Sequence, residues 1–195
     1  MDDSLTLSDT ACFYWLRQLR QVRRTLDAAS AATLVHTFVA SRVDYCNTVL
    51  AGAPKSLTDK LQRVLNAAAC VVSNTRKYDH ELSELLHDKV HCLDVPQQVD
   101  YKLCATVHRC LQRKVPPYLV DLCTPVSDIV SRQHLRSASS NQLVVPRHRC
   151  TQFGCRAFSV AGPMAWNTLP DSIRDTALSS WSFRRYLKTL LFSFY

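Results

Sequence analysis

The most regular feature of the chain is the stretch over residues 27–50, in which apolar residues recur at steps of three and four. This spacing gives the apolar stripe of an amphipathic α-helix. Asp27 is the expected N-cap, and Gly52 with Pro54 is expected to stop the helix. The stripe consists of Leu34, Val35, Phe38, Val39, Val43, Cys46, Val49 and Leu50. A helix of this length has to bury its stripe against other helices.

Other segments show the same helical periodicity. Pro96 stands at the start of one of them, where its missing N–H costs little. The long predicted helices, besides 27–50, cover residues 10–24, 55–74 and 95–115. Shorter helical segments are predicted over residues 81–87, 117–122 and 163–169, with a terminal helix over 179–195. The aromatic residues of that terminal helix, Trp181 among them, are expected to lie in the core.

The periodicity is lost after residue 122. Residues 123–142 are rich in Ser, Asp, Gln and Asn, which predicts a long loop. Leu143–Val145 is a strand candidate, and Arg156–Val160 is its expected partner in a small β-hairpin. The predicted fold is therefore mainly α: a bundle of about three long helices, then a basic, irregular C-terminal part with the hairpin and a terminal helix. The predicted domains are 1–122 and 123–195.

Charge is distributed unevenly along the chain. The net charge is +8, and 47% of residues are hydrophobic, as in a globular protein. Residues 132–195 contain nine Lys or Arg residues and only two acidic ones, whereas the first 131 residues are almost neutral. A basic segment of this kind suits phosphate-backbone binding, because each neutralised phosphate releases a counterion. A merely solvated basic surface is the alternative.

Four short blocks of sequence carry a family resemblance. They read SRVDYCNTVL at residues 41–50, LQRVLNAAA at 61–69, PPYL at 116–119 and RAFSVAGPMAWNTLP at 156–170. In order and spacing they resemble blocks downstream of the polymerase in reverse transcriptases of LINE-type, Jockey-like non-LTR retrotransposons. The resemblance implies the thumb and downstream region of an RNA-directed DNA polymerase, without its catalytic fingers and palm.

In such a parent enzyme this region would grip RNA or DNA through its backbone. The residues expected to contact phosphates, without reading bases, are basic residues of three segments. They are Arg17, Arg20, Arg24, Arg132, Arg136, Arg147, Arg149, Arg184, Arg185 and Lys188. The resulting prediction is a retrotransposon-derived fragment that binds RNA or DNA independently of sequence. The alternative is a helical module co-opted for binding an unspecified protein, which predicts an exposed apolar patch of several hundred Å².

No motif for catalysis is present. The sequence contains no glycine-rich phosphate loop, GxSxG elbow or HExxH helix, and His36 has no recognisable Ser or Cys partner. We therefore expect no enzymatic activity, no cofactor and no small-molecule substrate. The nearest approach to a zinc site is His148 with Cys150 and Cys155. It lacks a second ligand pair, so no metal is expected and the nine cysteines are expected to be thiols.

The sequence predicts an intracellular protein, nuclear or cytoplasmic. No apolar run approaches the roughly 18 residues that span a membrane. The N-terminal residues lack the basic and apolar regions of a secretion signal. We therefore expect no membrane association.

Overall fold

The computed structural model describes residues 2–45, 47–74, 92–147 and 154–194, with the backbone alone described for residues 2–10. The chain is mainly helical, which confirms the predicted fold class. The helices are α1 (Asp2–Val22), α2 (Ala28–Val35), α3 (Ser41–Asp44), α4 (Lys55–Ser73), α5 (Val95–Leu111), α6 (Pro117–Val120), α7 (Arg136–Ser139), α8 (Phe158–Asn167) and α9 (Ser180–Phe192). The helix predicted over 81–87 lies outside the described residues.

The chain forms two compact units. Unit 1 comprises Met1–Asn47 and Ala53–Gln98, and unit 2 comprises Thr48–Gly52 and Val99–Tyr195. One of the three boundaries, between Gln98 and Val99, therefore falls within α5. The domain division predicted between residues 122 and 123 lies inside unit 2, and it stays a prediction.

The helix predicted over residues 27–50 ends earlier than expected. α2 continues through a π-helical turn, His36–Ala40, into α3, and the backbone is extended at Tyr45. Residues Asn47–Leu50 then form a 3-10 turn. The buried Asn47 side chain explains the break, since its Nδ2 donates to Asp44 Oδ1 at 3.2 Å and Gln98 Oε1 at 3.4 Å. A buried amide needs such partners.

The core of unit 1 forms where α1 and α2 pack against α4. α1 extends to Asp2, eight residues before the predicted start of this helix. Its buried positions, Cys12, Leu16 and Leu19, follow the helical repeat. Beside them, the Trp15 ring stacks on Phe38 with centroids 4.8 Å apart. α4 contributes the buried residues Leu61, Val64, Leu65, Ala68, Ala69, Cys70, Val71 and Val72.

An arginine side chain caps the C-terminal end of α4. The helix stops at Asn74, which has the left-handed φ of 56°. Arg23 donates from Nε to the Val71 carbonyl and from Nη2 to the Val72 carbonyl, both at 2.8 Å. These last-turn carbonyls have no partner within the helix, and a cation there also meets the negative end of the helix dipole. Arg23 Nη1 donates to the Leu26 carbonyl at 2.8 Å, which holds the guanidinium in place.

Gln62 of α4 holds the start of α5. Its Nε2 donates to Asp94 Oδ1 at 2.7 Å, and its Oε1 accepts from the Val95 backbone N–H at 2.9 Å. The Val95 N–H is one of the donors that a helix leaves unsatisfied at its first turn. Gln98 Nε2 closes the same turn by donating to the Leu93 carbonyl at 2.6 Å. These bonds fix where α5 begins, at the predicted residue.

The core of unit 2 is an aromatic stack. The His108 ring of α5 lies parallel to Phe183 of α9, with centroids 4.1 Å apart. Trp166 of α8 lies 5.6 Å from Phe183, and both rings are 0% exposed. Such offset ring pairs add to the stabilisation from buried area. α9 has the predicted terminal-helix character, and the Ser179 Oγ caps it by accepting from the Ser182 N–H.

The predicted β-hairpin is wrong for residues 156–160. Gly154–Arg156 form a 3-10 turn, and α8 begins at Phe158. Leu143 instead makes an isolated antiparallel bridge with Pro125. The Asn167 side chain pairs with the other edge of Leu143, as a neighbouring strand would. Its Nδ2 donates to the Leu143 carbonyl and its Oδ1 accepts from the Leu143 N–H, both at 2.9 Å. A five-residue apolar alternation does not separate a strand from the first turn of a buried helix.

The buried His108 makes the stability of unit 2 depend on pH. Burial lowers the pKa of His108, and the nearby cations Lys114 and Arg184 lower it further. The Leu178 carbonyl and the Asp175 carboxylate raise this pKa, but the lowering effects are larger. The Gln112 amide nitrogen lies 3.4 Å from Nε2, and an amide N–H needs an acceptor there. The folded chain therefore favours the neutral ring.

Because the folded-state pKa lies below the unfolded value, the unfolded chain binds a proton first as pH falls. The stability contributed by neutral His108 is complete above the ordinary histidine pKa of about 6.5 and is lost below it. We expect urea unfolding midpoints to fall more steeply between pH 7.5 and 5.5 for the native chain than for His108→Phe. That variant keeps a stacked ring and cannot titrate. Parallel pH profiles would contradict this assignment.

Candidate nucleic-acid interface

The first group of predicted cations lies in unit 1. Arg17 and Arg20 are exposed on α1, and Arg24 is exposed in the 3-10 turn Arg23–Thr25 that follows the helix. Phe13 is half-exposed one turn before Arg17. Arg23, which was not predicted as a phosphate contact, turns inward to α4. The outward and inward arginines of this segment are thus one residue apart.

The second group lies in the irregular part of unit 2. Arg132 ends the 3-10 turn Val130–Arg132, Arg136 begins α7, and Arg147 follows the bridge residue Leu143 by four positions. All three side chains are exposed. Arg149 lies outside the described residues.

The third group occupies one face of α9. Arg184, Arg185 and Lys188 are exposed, and Phe183, Leu187 and Leu191 are buried. At about 100° per residue, the three cations fall within a sector of about 100° that contains none of the buried residues and borders on their sector. α9 contains no acidic residue. The helix therefore presents a local charge of +3 on a single face.

An aromatic residue belongs to the same face. Trp181 is 69% exposed, so the expectation that it lies in the core is wrong. It stands three, four and seven residues before Arg184, Arg185 and Lys188, which are the spacings of one helix face. The Arg185 guanidinium lies 5.5 Å from the centroid of the Trp181 ring. We call Trp181, Arg184, Arg185 and Lys188 the α9 stripe.

Acidic partners do not neutralise these cations within the described part of the chain. One ion pair joins the buried Arg174 to Asp171. Burial lowers the pKa of Arg174, whose Nη1 also donates to the Asn167 carbonyl at 3.1 Å. Arg174 is thus a structural cation of the fold, whereas the α9 stripe has its charges in solvent.

His36 and Cys92 come together within the described residues, although no sequence motif indicated this pair. His36 Nε2 lies 3.9 Å from Cys92 Sγ, and the two residues are 56 positions apart. At this distance the thiol and the imidazole are in weak hydrogen-bond contact. Among the described residues no three His, Cys, Asp or Glu side chains gather as metal ligands. His148 and Cys150 of the zinc alternative lie outside that part.

No protein-family model, curated protein or solved structure matches this chain. Within the described residues, no helix has the length and apolar character needed to cross a membrane.

Proposed function

We propose that this chain is a retrotransposon-derived fragment of an RNA-directed DNA polymerase that binds RNA or DNA through the phosphate backbone and is not catalytic alone. The observation that carries the binding proposal is the α9 stripe. Three exposed cations share one helix face, and α9 has no acidic residue to offset them. Such a face attracts a polyanion by releasing its counterions and carries no information about sequence.

The resembling blocks support the proposed origin through the positions of their residues. Asn47, Gln62, Trp166 and Asn167 belong to three of the blocks. Each of them makes hydrogen bonds that hold separate segments together. Residues that maintain a fold are those that two related chains are expected to share. The exposed cations of α9 lie outside the blocks, on the surface that such a fold presents.

The proposal is tested by measuring the binding of the purified chain to a labelled RNA hairpin and to duplex DNA over a salt series. We expect affinity for both to fall steeply with salt, with little dependence on sequence. For duplex DNA, a variant with Arg184, Arg185 and Lys188 changed to alanine should lose up to about 2.7 units of the log–log salt slope, since each phosphate contact contributes about 0.9.

A matched control removes the same charge elsewhere. Lys55, Lys60 and Arg63 are exposed on α4 of unit 1, so their triple alanine variant also lowers the net charge by three. Equal losses in the two variants would indicate a general charge effect and would contradict a site on α9. A folded chain that binds neither ligand at low salt would refute the proposal and favour the protein-interaction alternative.

A further inference from the structure

The α9 stripe combines an exposed ring with cations at regular spacing. Trp181 stands at the N-terminal end of the stripe, followed by Arg184 and Arg185 one turn later and Lys188 after a second turn. The Trp181 side chain lies apart from the aromatic stack of the unit 2 core, where the other tryptophan of this unit is 0% exposed. An indole left in solvent costs hydrophobic free energy that burial would recover. A partner that covers the Trp181 ring would supply this burial.

The chemistry of the neighbouring groups limits the kind of partner. The Arg185 guanidinium lies 5.5 Å from the Trp181 ring centroid and lends positive charge to the ring's surroundings. Lys188 Nζ lies 5.5 Å from the Phe192 ring centroid further along the helix. An apolar protein surface would have to desolvate these cations without compensation. A ligand with both planar groups and regularly spaced negative charges can stack on the exposed ring and pair with the cations at the same time.

We propose that the α9 stripe binds single-stranded nucleic acid by stacking a base on Trp181 while Arg184 and Lys188 contact its phosphates. This inference rests on the proposed function and deepens it, since backbone contact alone would not distinguish single strands from duplexes. In a duplex the base faces are covered by their neighbours, whereas a single strand can turn a base onto an aromatic platform. Stacking does not depend on base identity, because every base has a π-face.

The test separates stacking from backbone contact. Binding of an oligothymidylate of about 12 nucleotides, within the range of known single-strand sites, is compared with binding of an abasic strand of equal length. We expect Trp181→Ala to weaken oligothymidylate binding roughly tenfold and to leave abasic binding unchanged. Trp181→Phe, which keeps a ring, should retain most of the affinity. Far-UV circular dichroism checks that each variant folds.

Tyr186 provides the matched control on the same helix. It is 52% exposed but lies about 140° around the helix from Trp181, outside the stripe. Tyr186→Ala should therefore bind both strands as the native chain does. Equal effects of Trp181→Ala on the two strands, or none on either, would overturn the stacking inference and leave backbone binding intact. If the native chain binds neither strand at low salt, the proposed function fails and the inference fails with it.

Discussion

Replacing Trp166 with alanine is expected to lower the free energy of unfolding by roughly 4 kcal/mol, the usual cost of deleting a buried tryptophan side chain. The ring is fully buried and packs against Phe183 and His108. Its Nε1–H also donates to the Asn141 carbonyl at 2.9 Å. The substitution therefore leaves a cavity in the core of unit 2. It also leaves the Asn141 carbonyl without the N–H that donates to it. Urea unfolding followed by far-UV circular dichroism measures the loss.

Trp181→Ala is the control for this substitution. It deletes the same side chain from an exposed position of the same unit, where changes usually stay within about 0.5 kcal/mol. If Trp166→Ala lost no more stability than Trp181→Ala, the aromatic stack around Phe183 would not be what holds unit 2 together.

Arg23→Ala is expected to lower the free energy of unfolding by about 3 kcal/mol. Hydrogen bonds from a charged donor contribute about 1.5–3 kcal/mol each, and water replaces part of the three bonds that this half-buried side chain makes. The substitution leaves the Val71 and Val72 carbonyls at the end of α4 without their donor. Arg23→Lys should recover only part of the loss, since one ammonium cannot match the planar fork of a guanidinium. Chemical unfolding of the three chains under identical conditions provides the comparison.

The neighbouring Arg24 makes this prediction specific. Arg24 is exposed and carries the same charge. Its alanine variant should change stability by less than about 0.5 kcal/mol. If Arg24→Ala is as destabilising as Arg23→Ala, net charge and not the cap of α4 is the cause.

Long helices could be predicted from the sequence because their apolar repeat reports burial directly. α4 ends one residue before its predicted end, and α5 begins at the predicted Val95. The end of α3 could not be predicted in the same way. Apolar residues continue in step through the 3-10 turn after Tyr45, and the break depends on Asn47 reaching Gln98, 51 residues away. The apolar repeat within residues 27–50 gives no information about a hydrogen-bond partner so far away in the sequence.

Arg23 illustrates the same limit. Arg23 turns inward because α4 ends beside it, and the spacing of arginines along α1 cannot show that. Trp181, in contrast, could have been recognised from its position. It shares a helix face with Arg184, Arg185 and Lys188, so a residue's place on the helix was a better guide than its aromatic type. The exposure of these cations followed from the amphipathic pattern of α9.

The three tryptophans of the chain lie in three different surroundings. Trp15 stacks on Phe38 in unit 1, Trp166 is enclosed in unit 2, and Trp181 lies in solvent under the Arg185 guanidinium. The chain therefore carries its own set of optical reporters: a half-buried one in unit 1, a buried one in unit 2 and an exposed one on the α9 surface. A dissolved quencher reaches the third indole far more readily than the second. Intrinsic fluorescence can thus separate an event at the surface from the loss of either core, without any attached label.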